Sequence, residues 1–159
     1  MLSYKEAITE AITDISNKNL TSAGIAITCK GMILLVRGTG IEEWSIPKGG
    51  VEAEDENTLE SALRELEEEV GLSISREKIS NPDSPERIEY TSTMNGRKKT
   101  LLIYICPIQD WSEIGIQGPY IKSYELQEEE IDVAIFLTRE QAEFVITPRQ
   151  KKLLQLVNF

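Results

Sequence analysis

Three glutamates, Glu65, Glu68 and Glu69, recur at the i, i+3, i+4 spacing that places side chains on one flank of a helix. Like charges so placed repel by roughly 0.2–0.5 kcal/mol per pair even when exposed, and by more where water is partly excluded. Two readings are open. The glutamates are the solvated flank of a surface helix, or they await a divalent cation that reverses the penalty. Their surroundings favour the cation. Arg64 directly precedes Glu65, where a guanidinium can fix the orientation of nearby carboxylates. Glu56 stands just before the helix, and Lys48, Gly49 and Gly50 lie upstream of it.

The element that must carry these side chains has the strongest helical signal in the chain. From Asn57 to Val70, Leu59, Ala62, Leu63, Leu66 and Val70 form an apolar stripe beside the acidic one. Asn57 can cap with Glu60 at N3, and Gly71 falls where a C′ glycine ends a helix. Upstream, residues 3–16 are expected to form an amphipathic helix opened by a Ser3/Glu6 capping box. The apolar runs Ala23–Thr28 and Met32–Val36 flank Cys29-Lys30-Gly31 as a tight hairpin. The phrase WSIPKGGVE, Trp44 to Glu52, is expected to be a turn-rich connection rather than a regular element.

Downstream, Arg87–Met94 and Lys98–Ile108 flank Asn95-Gly96, a type I′ hairpin signal. Gln109–Gln127 reads as a long irregular loop, and Ile131–Leu137 as the last strand. A final helix over 147–157, opened by Thr147-Pro148, turns Leu153, Leu154 and Val157 inward. Helices and hairpins interleave without regular strand-helix-strand alternation, which predicts an α/β chain of mixed α+β type, with a mixed sheet covered by helices. Residues 1–159 are expected to make one domain.

Composition narrows the function classes. A net charge of −10 argues against holding nucleic acid or an anionic membrane through the chain's own cations, so an anionic substrate needs positive charge from elsewhere, namely metal ions. The absence of histidine excludes His-based triads, His-ligated zinc and His general bases. Cys29 and Cys106 lie far apart in apolar segments, which fits neither a disulfide framework nor a zinc spacing. With no apolar run near the ~20 residues of a membrane helix and no signal-type N-terminus, a cytoplasmic location is expected.

The segment Gly50 to Leu72, GVEAEDENTLESALRELEEEVGL, resembles the Nudix box, and Gly50, Glu56, Arg64, Glu65, Leu66, Glu68, Glu69, Gly71 and Leu72 fill its fixed positions. Nine constrained positions in 23 residues are far more specific than a lone glycine-rich tripeptide. The resemblance implies an α/β/α sandwich and a hydrolase that cleaves a phosphoanhydride. It implies that Glu65, Glu68 and Glu69, with the Gly49 carbonyl, bind Mg2+, with Mn2+ as substitute, and that Glu56 and Arg64 orient them. A further glutamate before the last strand, Glu128, Glu129 or Glu130, would complete the set. Glu69, Glu68 or that loop glutamate would take the proton of the attacking water.

For the substrate, Lys48 can meet a phosphate or simply solvate an exposed turn, and Trp44 can stack on a base or cap the core. Arg97, Lys98 and Lys99 can reach a polyphosphate tail or keep a hairpin tip soluble. WSIPKGG is similar to the matching stretch in relatives acting on dinucleoside or diphosphoinositol polyphosphates. Tyr90 lies where a tyrosine is common in the dinucleoside polyphosphate branch. The proline associated with ADP-ribose specificity has no match, because Pro82 and Pro85 fall too early. The expected order is a dinucleoside polyphosphate, then a nucleoside triphosphate, then capped or triphosphorylated RNA ends, with a non-catalytic nucleotide sensor as the reading of another class. The expected partner is a small-molecule nucleotide, without a stable nucleic-acid complex or membrane, on a monomer or homodimer.

Overall fold

A computed structural model of the chain describes residues 1–8, 21–40, 42–52, 55, 57–91, 96–122, 125–126 and 130–159. Among them, eight strands form one mixed sheet: β1 Thr21–Cys29, β2 Met32–Gly38, β3 Trp44–Ser45, β4 Lys48–Gly50, β5 Glu86–Thr91, β6 Lys98–Ile108, β7 Tyr120–Ile121 and β8 Ile131–Thr138. The main path runs β5-β6-β1-β2-β8-β7, with β3 on β2 and β4 on β1. The β1/β6 pair is parallel and every other pair antiparallel.

Alternation along β1 builds two cores from one strand. Ala23, Ile25, Ile27 and Cys29 face the same apolar cluster as Leu59, Ala62, Leu66 and Val70 of helix α1, Thr58–Val70. Ala26, with Ile33 and Leu35 of β2, faces a second cluster that holds Ala142, Leu153, Leu154 and Val157. These come from α2, Arg139–Val145, and α3, Leu153–Leu156. Helices on both faces of a mixed sheet make the expected α/β/α sandwich.

Local signals place most elements as read. The β1–β2 turn holds both Lys30 (φ 53°) and Gly31 (φ 77°) in the left-handed region that a type I′ turn needs. Asn57 Oδ1 accepts from the Glu60 amide at 2.9 Å, and Gly71, at φ 72°, ends α1. Ser3 and Glu6 exchange the two capping-box hydrogen bonds and residues 4–8 are helical; the remainder of the 3–16 helix lies outside the described residues.

Four expectations need correction. The Trp44–Glu52 phrase is not purely a connection, because β3 and β4 complete ladders on β2 and β1. Gln109–Gln127 is not wholly irregular. An Asp110/Glu113 capping box closes a 3-10 turn over Trp111–Ile114, and β7 pairs with β8. The final helix is not continuous over 147–157. Pro148–Gln150 is a 3-10 turn and only Leu153–Leu156 is α-helical, while α2 arises earlier from an unread Thr138/Gln141 capping box. A two-residue turn at Asn95-Gly96 would set Thr91 opposite Thr100, yet Thr91 pairs with Lys98. The residues at 92–95, Asn95 among them, lie outside the described residues.

The positioning feature for the site is a divergence of β1 and β2. Their ladder is registered at Thr28↔Ile33 and Cys29↔Met32. Toward its start β1 pairs instead with β4 (Ser22↔Gly50, Ala23↔Gly49, Gly24↔Lys48), while the end of β2 pairs with β3 (Val36↔Ser45, Arg37↔Trp44). The strands splay, and a cavity opens between them.

Candidate active site

That cavity, of about 410 Å³, is lined by Lys48, Gly49 and Gly50 of β4, Glu69 of α1, Tyr90 and Lys99 of the β5/β6 pair, and Glu130 just before β8. The sheet edge thus meets the acidic helix where the two strands part. Among the described residues no three acidic or sulfur side chains are drawn into a closed ligand set.

Burial grades the three helix glutamates. Glu69 is 7% exposed, Glu65 has a side chain 13% exposed, and Glu68 stands half in solvent at 51%. Burial raises the Glu69 carboxyl to about 8, with Glu65 and Glu130 adding repulsion against relief from Lys48, whose backbone N–H donates to the carboxyl. Glu65 is raised chiefly by burial as well, with Arg64 opposing and Glu68 and Glu130 adding to the rise. The Lys48 ammonium is lowered by burial, against the attraction of Glu69.

Arg64 organises the carboxylates around it on α1. Its guanidinium donates to Asp55 through Nε at 3.2 Å and Nη2 at 3.0 Å, and Nη1 lies 3.2 Å from Glu65, 3.5 Å from Glu52 and 3.6 Å from Glu68. Asp55 also accepts from the Ser61 hydroxyl at 2.6 Å and the Glu52 amide at 2.8 Å. These bonds, Arg64 foremost, hold its carboxyl at about 2. Arg64 thereby ties the loop before the helix to the helix and pulls Glu65 and Glu68 toward itself.

Gly49 determines how closely strand and helix approach. A Cβ there would stand 1.9 Å from Glu65 Cδ, so the carboxyl of Glu65 occupies space that any side chain on residue 49 would take. The donors gathered here are all oxygens, they are mutually repulsive, and one is buried with its proton affinity raised. This is the chemistry of a hard divalent cation site.

The sequence model of the family described as NUDIX domain matches residues 18–157. The chain belongs to the NUDIX family. Within it, the chain is 34% identical over 80 residues to the asymmetrical bis(5′-nucleosyl)-tetraphosphatase of Mus musculus, spanning 50% of this chain and 52% of that one. It is 35% identical over 71 residues to the m7GpppN-mRNA hydrolase of Saccharomyces cerevisiae, spanning 45% of this chain and 6% of that protein. It is 52% identical over 42 residues to the RNA pyrophosphohydrolase of Halorhodospira halophila, spanning 26% and 23%. These matches cover about half or less of the relatives' own lengths. Among solved structures, the fold is similar to a MutT NUDIX hydrolase from Burkholderia pseudomallei (TM-score 0.65, 18% identity, 87% of this chain and 97% of that one). It is also similar to a C. elegans Ap4A hydrolase (TM-score 0.60, 20% identity, 85% and 92%).

In this NUDIX chain the fold brings Lys48, Gly49, Glu69, Tyr90 and Glu130 to the cavity and sets Glu65 against Gly49, while Glu68 stands half in solvent beside Arg64. Glu56, Glu128 and Glu129 lie outside the described residues. Trp44 is not brought to the cavity. It packs against the second core cluster, with the Arg37 guanidinium 5.7 Å from its ring centre and Leu137, Phe144 and Val145 beside it in a separate depression. Sequence reading missed Asp55, Glu43, Thr147, Arg149 and Gln150. Asp55 carries no spacing that separates it from the acids around it, and the others reach the cavity only through tertiary contacts.

A test of the close approach follows. Gly49→Ala is expected to cut hydrolysis on the order of 10²-fold, because the new methyl must push the Glu65 carboxyl aside. The displaced atoms are the end of a flexible side chain, so Tm should move by only a few degrees. A comparable fall in Tm and in folded yield would show that the position serves the fold alone.

Proposed function

We propose that this chain is a Mg2+-dependent NUDIX pyrophosphohydrolase, with Mn2+ as substitute, whose best substrate is a dinucleoside polyphosphate. The observation that carries the reading is the meeting of Glu69, Glu130 and the Gly49 backbone with Lys48 in one cavity. Glu65, Glu68, Glu69 and Glu130, with the Gly49 carbonyl, would hold the ion. Bound there, such an ion neutralises phosphate oxygens and lowers the pKa of water. The chain's own residues do the rest. Lys48 meets a phosphate oxygen as a point charge. Glu69 accepts the proton of the attacking water at its carboxylate. Arg64, held by Asp55, fixes the orientation of Glu65 and Glu68 through its guanidinium, and Glu56 joins it in orienting them.

The dinucleoside polyphosphate assignment draws support from Tyr90, which lines the cavity beside Lys99, and from the similarity to the mouse tetraphosphatase. Competing hydrolysis of diadenosine polyphosphates, nucleoside triphosphates, ADP-ribose and 5′-triphosphorylated RNA, with products resolved by chromatography, tests it. Preferential conversion of a diadenosine polyphosphate, with heavy oxygen from water in one phosphate product, is the expected result. Tight binding of panel members without turnover would replace the enzyme with a nucleotide-sensing domain.

A further inference from the structure

We propose that Gln150 is a positioning residue: its side-chain oxygen, working against the bare β1 backbone at Gly24, holds the Ile46-Pro47 link where it presents Lys48 and the Gly49 carbonyl to the cavity. This rests on the pyrophosphohydrolase reading and adds to it a residue from the far end of the chain.

The link crosses the gap where β1 and β2 part. β3 ends on β2 at Ser45 and β4 begins on β1 at Lys48, so Ile46 and Pro47 belong to neither ladder. Both are buried, Ile46 completely, and their peptide groups still need partners. Pro47 has no N–H to place. The Ile46 amide donates to Gln150 Oε1 at 3.0 Å, and the Pro47 carbonyl accepts from the Ile25 amide at 3.2 Å. Only an oxygen accepts the Ile46 proton, which fixes the orientation of the Gln150 amide, itself 3% exposed. Deprived of that oxygen, the Ile46 amide is unsatisfied where it stands, and the link gains by moving.

β1 leaves the link no slack. A Cβ on Gly24 would stand 2.7 Å from the Pro47 carbonyl oxygen, 2.9 Å from Lys48 Cβ and 2.9 Å from Ile46 Cδ1. Gln150 is held in its turn. Its backbone amide donates to the Thr147 carbonyl at 2.9 Å, and the Thr147 amide donates to the Trp44 carbonyl at 2.7 Å. The Ile46 side chain joins Leu153, Leu154 and Val157 in the second cluster. Residues 44–48 are thus gripped by two separate elements, the strand β1 and the turn Pro148–Gln150.

Drift of the link reaches the site at its next two residues. The Lys48 amide donates to the Glu69 carboxyl, and the Glu65 carboxyl fills the space that a side chain on residue 49 would take. A misplacement on the order of 1 Å costs about 10²-fold in rate. Gln150 also lines the cavity, so contact with substrate through its NH2 is the competing role. Substitution separates the two.

Gln150→Met keeps the length and removes the acceptor, whereas Gln150→Glu keeps an acceptor and removes the NH2. The readouts are hydrogen–deuterium exchange over residues 44–50, Mn2+ titration of the substrate-free protein by electron paramagnetic resonance, and steady-state kinetics on diadenosine tetraphosphate. In Gln150→Met the segment should lose protection, the Mn2+ Kd should rise about tenfold and kcat should fall about 10- to 100-fold. Gln150→Glu should keep the protection, hold Mn2+ at least as tightly as the wild type and recover most of kcat. Protection or Mn2+ affinity retained in Gln150→Met, or lost equally in Gln150→Glu, overturns the proposal; activity lost in both variants with Mn2+ affinity intact would mark a substrate contact instead. Gly24→Ala presses on the same link from β1 and decides the matter if Gln150→Met does not fold: a weakened Mn2+ site is expected, and wild-type affinity overturns the proposal. A wild-type protein without turnover, whose Gln150→Met variant still loses protection and Mn2+ affinity, would overturn only the hydrolase reading.

Discussion

Glu69→Gln is expected to lower kcat by about 10²–10⁴-fold while the metal-free protein melts at the same temperature as the wild type or higher. The amide is nearly isosteric with the carboxyl, so packing against β4 persists. What disappears is an ionisable carboxyl whose charged form burial, Glu65 and Glu130 all oppose. The two halves of the result belong together. A residue kept only for the fold would lose stability on substitution, and a solvated surface glutamate would change neither property. A fall in Tm together with activity would sink the catalytic assignment, and so would full activity in the variant. Glu68→Gln, at the more exposed position, is the internal comparison.

The same carboxyl makes stability depend on pH. Folded Glu69 holds its proton up to about 8, whereas the unfolded chain releases it near the ordinary value of 4.5. Between those values the unfolded state binds fewer protons than the folded state, so unfolding becomes more favourable as pH rises. The stabilising contribution is complete below about pH 4.5, declines through the interval and is gone above about 8. Glu65, also raised, acts in the same direction. Asp55 acts oppositely but in another window. With its carboxyl at about 2, its contribution is complete above the ordinary carboxylate range and is lost only as pH falls through 2.

In chelator, the wild-type protein should therefore lose on the order of a few kcal/mol between pH 5 and 8, roughly 10 °C in Tm. Millimolar magnesium should restore much of it by binding the folded state. Glu69→Gln should flatten the profile. Parallel wild-type and variant curves would show that the carboxyl titrates normally.

The parts legible in the sequence were those written locally. Asn57, Glu60 and Gly71 bound helix α1 through contacts within a few residues, and the acidic stripe beside its apolar stripe is a matter of spacing along one element. Misreadings came where pairing overrides composition. Gly and Pro in WSIPKGG signal a turn, yet Gly49 and Gly50 enter a ladder because β1 offers its free edge there. Trp44 stayed open between a base and the core because nothing in its neighbourhood shows the second apolar cluster that receives it. Arg149 and Gln150 were invisible as cavity residues because their contacts, with Glu43, Tyr90 and Ile46, cross most of the chain.

The parallel ladder of β1 with β6, from Thr21↔Thr100 to Cys29↔Ile108, carries a kinetic consequence. Such a pairing closes a long loop before it gives anything back, and a high share of distant contacts slows the search for the native state. Because cavity residues run from Ser22 to Gln150, a nascent chain on the ribosome has no complete cavity until Gln150 has emerged. Refolding from denaturant should accordingly regain helical ellipticity earlier than hydrolytic competence.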